Sequence, residues 1–367
     1  MNYFVPIDNI LAVKTNLKDF KWSYGLCMPQ STKEHFDNAL IKIDIEVVSG
    51  RLWETPPSDE ETGKFHYFSG NKKAGKIFYN RNFFFGKKLQ YELSGLETNS
   101  IKIKVNKDYL RFVTHRFMNV HSVGYILTDI VNLKLLHNNL APLHCSGIAD
   151  DTGSYLIFAP PNTGKTLSSM KLCMEDGYRF VAEDLAVTDG TNSHAVPWTS
   201  TFRYYSDVDN SKFSRLLNWL TEKVAVIELF GFGKIEPITK YVDADKIAQV
   251  ADVKGIFILE RGSDSVTDID AKTAFNMCLN LDRYEFNYMR APAIIAYEYF
   301  NPGANIQSAL NTEQALLTQL MDKAEFIKVV KNDNALNYST AIKTVVSEHS
   351  VANADDSDAV GSKAVAS

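Results

Sequence analysis

Hydrophobic and polar residues alternate along two segments in the N-terminal third of the chain. Residues 41–47 alternate isoleucine or valine with lysine, aspartate or glutamate, and residues 101–105 alternate isoleucine or valine with lysine. A period of two is typical of a strand with one buried face. Between these segments, the aromatic run 76–86 and the apolar run 89–93 predict a hairpin. We therefore expect residues 1–115 to form a β-rich N-terminal domain.

The rest of the chain mixes helical periodicity with continuous apolar runs. Apolar positions three and four residues apart predict helices over residues 116–138, 312–326 and 334–346. Apolar runs predict buried strands over residues 255–260 and 326–330. The chain after Ser347 lacks large apolar residues, so we expect residues 347–367 to be a disordered tail. Residues 116–346 are expected to form a second domain of the α/β (α+β) class.

A strand, a turn and a helix are predicted in that order at the centre of the chain. Residues 154–159 form an apolar run typical of a buried strand, and residues 167–174 favour a helix. Between them, residues 159–166 read APPNTGKT, which fits the phosphate-binding pattern G-x-x-x-x-G-K-[ST] except for alanine at the first glycine position. Backbone N–H groups of such a loop bind phosphates, its lysine reaches the β- and γ-phosphates, and its hydroxyl binds Mg²⁺. The segment therefore predicts a nucleotide-binding site at Lys165 and Thr166.

Two adjacent carboxylates follow the next predicted strand. Residues 178–182 are apolar and aromatic, and Glu183 and Asp184 come directly after them. If this strand lies beside the loop strand, its carboxylates come close to Mg²⁺ and the γ-phosphate. One carboxylate could then hold the metal while the other accepts the proton of an attacking hydroxyl. An acidic turn without a catalytic role is the alternative.

A histidine precedes the loop strand. Residues 143–149 predict a strand that turns back through residues 150–153 into the loop strand, so His144 is expected on a neighbouring strand. Cys145 would then point to the opposite face, which argues against a cysteine nucleophile at this site. The alternation of strand faces leaves open whether His144 faces the nucleotide or the core.

Together these motifs resemble HPr kinase/phosphorylase and its kinase-like relatives, which share a nucleotide-binding fold with phosphoenolpyruvate carboxykinase. The resemblance is based on His144 before the hairpin, the GKT loop, and GYRFVAEDLAV at residues 177–187. It implies a phosphate-loop core of that fold, with Glu183 in the position of the catalytic aspartate. The implied catalytic residues are Glu183, Asp184, His144 and Lys165, and the implied Mg²⁺ ligands are Thr166 and Asp184. The predicted nucleotide-binding residues are Asn162, Thr163, Gly164, Lys165, Thr166, Leu167 and Arg203.

Two departures from the pattern of this family matter for the chemistry. Glu183 is one methylene longer than the usual aspartate, which moves the proton acceptor by about one C–C bond, and a shift of that size can cost roughly 100-fold in rate. Pro160 and Pro161 replace more flexible residues and remove two N–H donors from the loop. Fewer backbone groups can therefore contact phosphate.

Charge, hydropathy and cysteine content argue against several classes of protein. The net charge of −5 over 367 residues is unlike the basic surface of a nucleic-acid-binding protein. No apolar run is long enough to span a membrane and no signal-peptide pattern begins the chain, so we expect a cytoplasmic protein without a membrane partner. The four cysteines are far apart and show neither zinc-ligand spacing nor a disulfide framework.

The sequence predicts a kinase that uses ATP and Mg²⁺ to phosphorylate a hydroxyl group. The acceptor is a serine of a protein or peptide, or a small molecule, and the sequence does not separate these. One alternative is a carboxykinase-type enzyme of the same fold. Another is a non-catalytic nucleotide-binding regulatory module, which the glutamate at position 183 favours. A homo-oligomer, the reverse phosphorylase reaction and the choice between ATP and GTP are left open.

Overall fold

The computed structural model describes residues 1–55, 60–61, 66–69, 75–116, 119–199 and 237–364, and its strands lie in two sheets. The first sheet comes from the N-terminal third of the chain. Its strands are β1 (Asn2–Ile7), β2 (Leu11–Thr15), β3 (Ile41–Val48), β4 (Glu60–Glu61), β5 (Tyr67–Ser69), β6 (Lys76–Asn82), β7 (Lys88–Ser94) and β8 (Ser100–Asn106). Their spatial order is β1-β2-β3-β8-β7-β6-β5-β4. Two short helices, α1 (Lys33–Asn38) and α2 (Lys107–Phe112), accompany them.

The two alternating segments are neighbouring strands in the first sheet. β3 and β8 pair in parallel with Ile43 opposite Ile101, and both of these side chains are buried. The predicted hairpin is confirmed as the antiparallel pair β6 and β7, which is connected through the 3-10 segment Phe84–Gly86. Tyr79 and Tyr91 are buried and stack with their ring centroids 5.1 Å apart. The alternating isoleucine and valine residues and the buried tyrosines thus form an apolar face of this sheet.

The second sheet is organised around one long strand, β15. Its members are β9 (Ala141–Leu143), β10 (Ser146–Ala149), β11 (Ser154–Phe158), β12 (Arg179–Ala182), β13 (Ala186–Thr188), β14 (Asn192–His194), β15 (Val250–Glu260), β16 (Ser265–Asp268) and β17 (Phe326–Lys331). The start of β15 pairs antiparallel with β14, and the remainder lies between β11 and β17, both of which run parallel to it. The carboxyl ends of β11, β15 and β17 therefore meet at one edge of the sheet.

The described part of the chain also contains longer helices. These are α3 (Val123–His137), α4 (Lys165–Glu175), α5 (Ala271–Glu285), α6 (Pro292–Phe300), α7 (Ile306–Lys323) and α8 (Tyr338–Ala364). α8 starts later than predicted because Asn334 caps a short 3-10 turn, where its side chain accepts the Leu336 N–H. α8 also continues to Ala364, within the segment expected to be a disordered tail. Extension of an existing helix needs no new nucleus.

The structure contradicts one expectation about the strands near the loop, and one condition stated for them is not met. Residues 143–149 do not form one strand: His144 and Cys145 interrupt it, and β9 pairs with β13 whereas β10 pairs with β11 and β12. β12 does not lie beside β11, because β10 lies between them. Both β11 and β12 are antiparallel to β10 and therefore parallel to each other. The carboxyl end of β12 consequently reaches the same edge as that of β11.

One hydrophobic cluster connects the two sheets, and a second cluster packs α4 and α8 against the second sheet. The first cluster combines strand residues of β3 and β8 with buried residues of α3 and α6. Tyr297 of α6 is buried where these parts meet, and its hydroxyl donates a hydrogen bond of 2.6 Å to Glu97 Oε2. The same hydroxyl oxygen accepts the backbone N–H groups of Gly95 and Leu96, each at 3.2 Å.

Two mixed sheets with accompanying helices confirm the mixed α/β (α+β) class. Within the ranges described above, no helix combines the length and the hydropathy that a bilayer-spanning helix requires.

Candidate functional site

The candidate phosphate loop, residues 159–166, connects β11 to α4. The strand and the helix predicted on either side of it are confirmed, although α4 begins earlier than predicted, at Lys165, with Gly164 as its N-cap. Positive φ angles of 121° at Gly164 and 59° at Asn162 shape the turn. The Ser168 N–H binds the Gly164 carbonyl oxygen and is the first intrahelical donor. The preceding N–H groups of the first turn therefore point beyond the helix N-terminus, where anions are stabilised.

The predicted nucleotide-binding residues occupy this turn, with one exception. Arg203 lies outside the described residues. The backbone N–H groups of Lys165, Thr166 and Leu167 belong to the first turn of α4. In the described part of the chain, Asn162 is exposed, Thr163 is buried, and Gly164, Thr166 and Leu167 are half-buried.

Three of the predicted catalytic residues converge on one another. The Lys165 ammonium lies 3.1 Å from His144 Nε2 and 3.2 Å from Asp184 Oδ1. The break between β9 and β10 places His144, the end of β12 places Asp184, and the first turn of α4 places Lys165. The question of which way His144 faces is thereby answered: its ring is directed at the loop lysine.

Burial and neighbouring charges set the protonation states of this cluster. Burial and the Lys165 ammonium lower the pKa of His144 to about 4, although the Asp184 carboxylate opposes this shift. Burial acts to raise the pKa of Asp184, but Lys165 and His144 outweigh it and hold that pKa below its ordinary value. His144 is thus neutral at neutral pH and accepts from Lys165 through Nε2, which leaves the proton on Nδ1. Nδ1 is buried, lies 3.7 Å from Asp184 Oδ1, and has no hydrogen-bond partner among the described residues.

The two adjacent carboxylates have different surroundings. The Asp184 side chain is 44% exposed, whereas Glu183 is 1% exposed. The Ser146 hydroxyl donates to the Glu183 backbone carbonyl, which ties the end of β12 to the start of β10. Asp184 is therefore the carboxylate open to a ligand at the loop, and Glu183 is covered.

Two residues that were not predicted from the sequence form hydrogen bonds to the site. Asp282 of α5 is buried, and its Oδ1 accepts the His144 backbone N–H at 2.6 Å. Burial raises the pKa of this carboxyl well above its ordinary value. Arg261, directly after β15, donates through Nη2 to the Asn162 carbonyl oxygen at 2.9 Å. A basic residue at the end of a buried strand was the available signal for Arg261, whereas no local signal connects Asp282 with His144.

The donors at the loop fit a magnesium ion accompanied by a nucleotide. The described residues contain no group of three or more histidine, cysteine, aspartate or glutamate side chains placed to hold a metal ion. Mg²⁺ does not need such a group, since it keeps several waters and binds through one or two protein oxygens together with phosphates. The Thr166 hydroxyl in the first turn of α4 and the open Asp184 carboxylate supply oxygens of the required kind.

Comparison with known proteins adds no relative. No protein-family model matches the chain, and a search of curated proteins gave no match. The resemblance to HPr kinase/phosphorylase therefore stays a prediction from the motifs themselves.

Proposed function

We propose that the protein is an ATP- and Mg²⁺-dependent kinase that transfers the γ-phosphoryl group to a hydroxyl acceptor. One observation carries the proposal: the Lys165 ammonium contacts both Asp184 and His144, at the N-terminus of a helix that follows a parallel strand. Phosphate-loop proteins bind and polarise a nucleoside triphosphate with a lysine, a carboxylate and helix N-terminal N–H groups at the carboxyl edge of parallel strands. A core similar to that of HPr kinase is part of the same proposal.

Phosphate binding exchanges one partner of Lys165 for another. Asp184 Oδ1 lies 3.2 Å from the Lys165 ammonium and neutralises its charge. Phosphate oxygens take over that contact and also receive the N–H groups of the first turn of α4. Thr166 and Asp184 would hold Mg²⁺, which when bound supplies positive charge to the β- and γ-phosphate oxygens. Neutral His144 keeps Lys165 directed at the loop without adding a second buried positive charge.

The chemical step requires a base for the acceptor hydroxyl. The acceptor oxygen forms a bond to the γ-phosphorus, the bond from that phosphorus to the β–γ bridging oxygen breaks, and ADP leaves. The hydroxyl proton passes to a carboxylate, for which Glu183 is the proposed residue. Because Glu183 is 1% exposed, bulk water has little access to it. A base shielded in this way would disfavour hydrolysis of ATP when no acceptor is bound.

A non-catalytic nucleotide-binding module is the second candidate. The burial of Glu183 favours it, since a covered carboxylate takes no proton unless the acceptor uncovers it. The two candidates share the binding of Mg·ATP at Lys165 and differ in turnover.

Substitution of the loop lysine tests the proposal. Lys165→Ala should weaken Mg·ATP binding by roughly 10- to 100-fold, measured by calorimetry, because it removes a charge-assisted contact to phosphate. Lys171→Ala removes a half-buried lysine of the same helix and is the matched control. ADP formation is then followed with seryl peptides and with polyols as acceptors.

Acceptor-dependent ADP formation that Lys165→Ala abolishes and Lys171→Ala retains would support the kinase. Binding that depends on Lys165, without turnover for either acceptor class, would favour the binding module. Mg·ATP affinity that is unaffected by Lys165→Ala would refute both.

A further inference from the structure

A cleft lies at the carboxyl edge of the second sheet, beside the candidate phosphate loop. It has a volume of about 440 Å³, and its lining includes Asp264, Ser265, Val266, Asn332, Asn337 and Thr340. These residues come from the turn after β15, the start of β16, the residue after β17, the 3-10 turn before α8, and the first turn of α8. The cleft is of the size in which proteins bind small molecules.

Two separate chain segments connect the loop to the cleft. In the turn after β15, Arg261 binds the Asn162 carbonyl oxygen of the loop at 2.9 Å, and Asp264, three residues later, lines the cleft. In the 3-10 turn before α8, Ala335 packs against Gly164 so closely that a Cβ atom on Gly164 would lie 2.9 Å from the Ala335 Cβ. Asn337 of the same short turn lines the cleft. The loop and the cleft are therefore neighbours along one edge of the sheet.

We propose that this cleft binds the nucleoside portion, base and ribose, of the nucleotide whose phosphates bind the loop. The inference rests on the proposed function, since it assumes that a nucleotide occupies the loop. Ligands of open α/β sheets bind outside the carboxyl ends of the strands, and the cleft lies at the ends of β15 and β17. The exposed Arg261 guanidinium contacts the loop at the Asn162 carbonyl oxygen, and Arg261 precedes the cleft-lining Asp264 by three residues.

The chemistry of the lining suits a nucleoside. Asn332 is buried, and its Oδ1 accepts the Asn334 backbone N–H at 2.9 Å and Asn337 Nδ2 at 3.3 Å. This contact orients the exposed Asn337 amide and uses only one of its N–H groups, so a donor and an acceptor are available for the polar edge of a base. The exposed Asp264 carboxylate can accept hydrogen bonds from ribose hydroxyls, and Val266, which is 43% exposed, offers an apolar contact.

Titration of the full chain with two ligands tests the inference. Mg·ATP contacts both the loop and the cleft, whereas Mg·tripolyphosphate carries the phosphates alone. Asn337→Ala and Asp264→Ala should each weaken Mg·ATP binding by 10-fold or more, and leave tripolyphosphate affinity within twofold. Asn311→Ala and Asp322→Ala, which change exposed residues of α7 outside the cleft, are the matched controls and should change neither affinity.

The outcomes separate this inference from the function on which it rests. Equal weakening of both ligands, or no weakening of Mg·ATP, by the cleft variants would overturn the nucleoside site while leaving phosphate binding at the loop intact. Failure of the unmodified protein to bind either ligand would overturn both proposals. Urea unfolding midpoints of the cleft variants equal to that of the unmodified protein show that a lost affinity reflects the cleft and not misfolding.

Discussion

Replacement of Asp184 by asparagine removes the charge that balances Lys165. At the observed 3.2 Å, two unit charges attract by about 5 kcal/mol for an effective dielectric constant of 20. Because the Asp184 side chain is 44% exposed, solvent screening reduces this to about 1–2 kcal/mol. A phosphate that must displace Asp184 from Lys165 is opposed by that amount, which corresponds to roughly 5- to 30-fold in affinity.

The Asp184→Asn variant should therefore change two affinities in opposite directions. Tripolyphosphate in the presence of EDTA should bind roughly 5- to 30-fold more tightly, because no carboxylate competes for Lys165. Mg·ATP should bind more weakly than in the unmodified protein, because an oxygen ligand proposed for the metal is lost. Calorimetry at low and at high salt measures both, and the gain for tripolyphosphate should shrink as salt screens the charges. Glu175→Gln, at the exposed end of α4, is the matched control.

One result would refute this reasoning directly. If Asp184→Asn leaves metal-free tripolyphosphate affinity unchanged or lowers it, phosphates do not compete with Asp184 for the Lys165 ammonium. A parallel fall for both ligands would indicate that Asp184 supports the loop structurally.

Three further predictions concern neighbouring residues. Glu183→Gln should lower kcat by roughly 100- to 10,000-fold and keep Mg·ATP affinity within about twofold of that of the unmodified protein. An unchanged kcat in steady-state assays would exclude Glu183 as the base. The pKa of His144 is about 4 in the folded protein and about 6.5 in the unfolded chain. Above about pH 6.5 both states are neutral at this residue, and the free energy of unfolding is at its full value. As the pH falls toward 4 the unfolded chain takes up the proton first, so the free energy of unfolding decreases by up to about 3 kcal/mol. Urea unfolding at pH 7 and pH 4.5 should show a smaller loss for His144→Gln, and equal losses would contradict the assignment. Gly164→Ala should destabilise the fold and weaken Mg·ATP binding, because the φ of Gly164 is +121° and the added Cβ would meet Ala335. Gly177→Ala is the control, since its φ is +79° but nothing lies within 4 Å of the added Cβ. It should lower the free energy of unfolding in urea by only about 1–2 kcal/mol and leave Mg·ATP affinity unchanged.

Local patterns in the sequence predicted the elements of the site. The alternation in β3 and β8, the β6–β7 hairpin and the succession of β11, loop and α4 all follow from interactions between residues close in sequence. The approach of Asp184 to the loop was also predictable, because the carboxyl ends of parallel strands meet at one edge.

Contacts between distant segments could not be predicted in the same way. β10 lies between β11 and β12 because its two edges pair with both, and strand order is not encoded in the periodicity of any one strand. The support of His144 by Asp282 joins residues 138 positions apart, and α5 by itself reads as an ordinary amphipathic helix. Burial distinguishes Glu183 from Asp184, and adjacent acidic residues in a sequence carry no sign of that difference.

The contacts of the Tyr297 hydroxyl indicate whether a fragment without the first sheet could fold by itself. It has three hydrogen-bond partners, all within residues 95–97, while the tyrosine itself belongs to a helix nearly 200 positions later. A fragment that begins after the first sheet would expose this hydroxyl and the α3 and α6 surfaces that pack in the shared core. The cost of exposing apolar surface scales with its area, and a buried hydroxyl without partners adds about 1–3 kcal/mol. We therefore expect the two sheets to fold cooperatively and to unfold in a single transition.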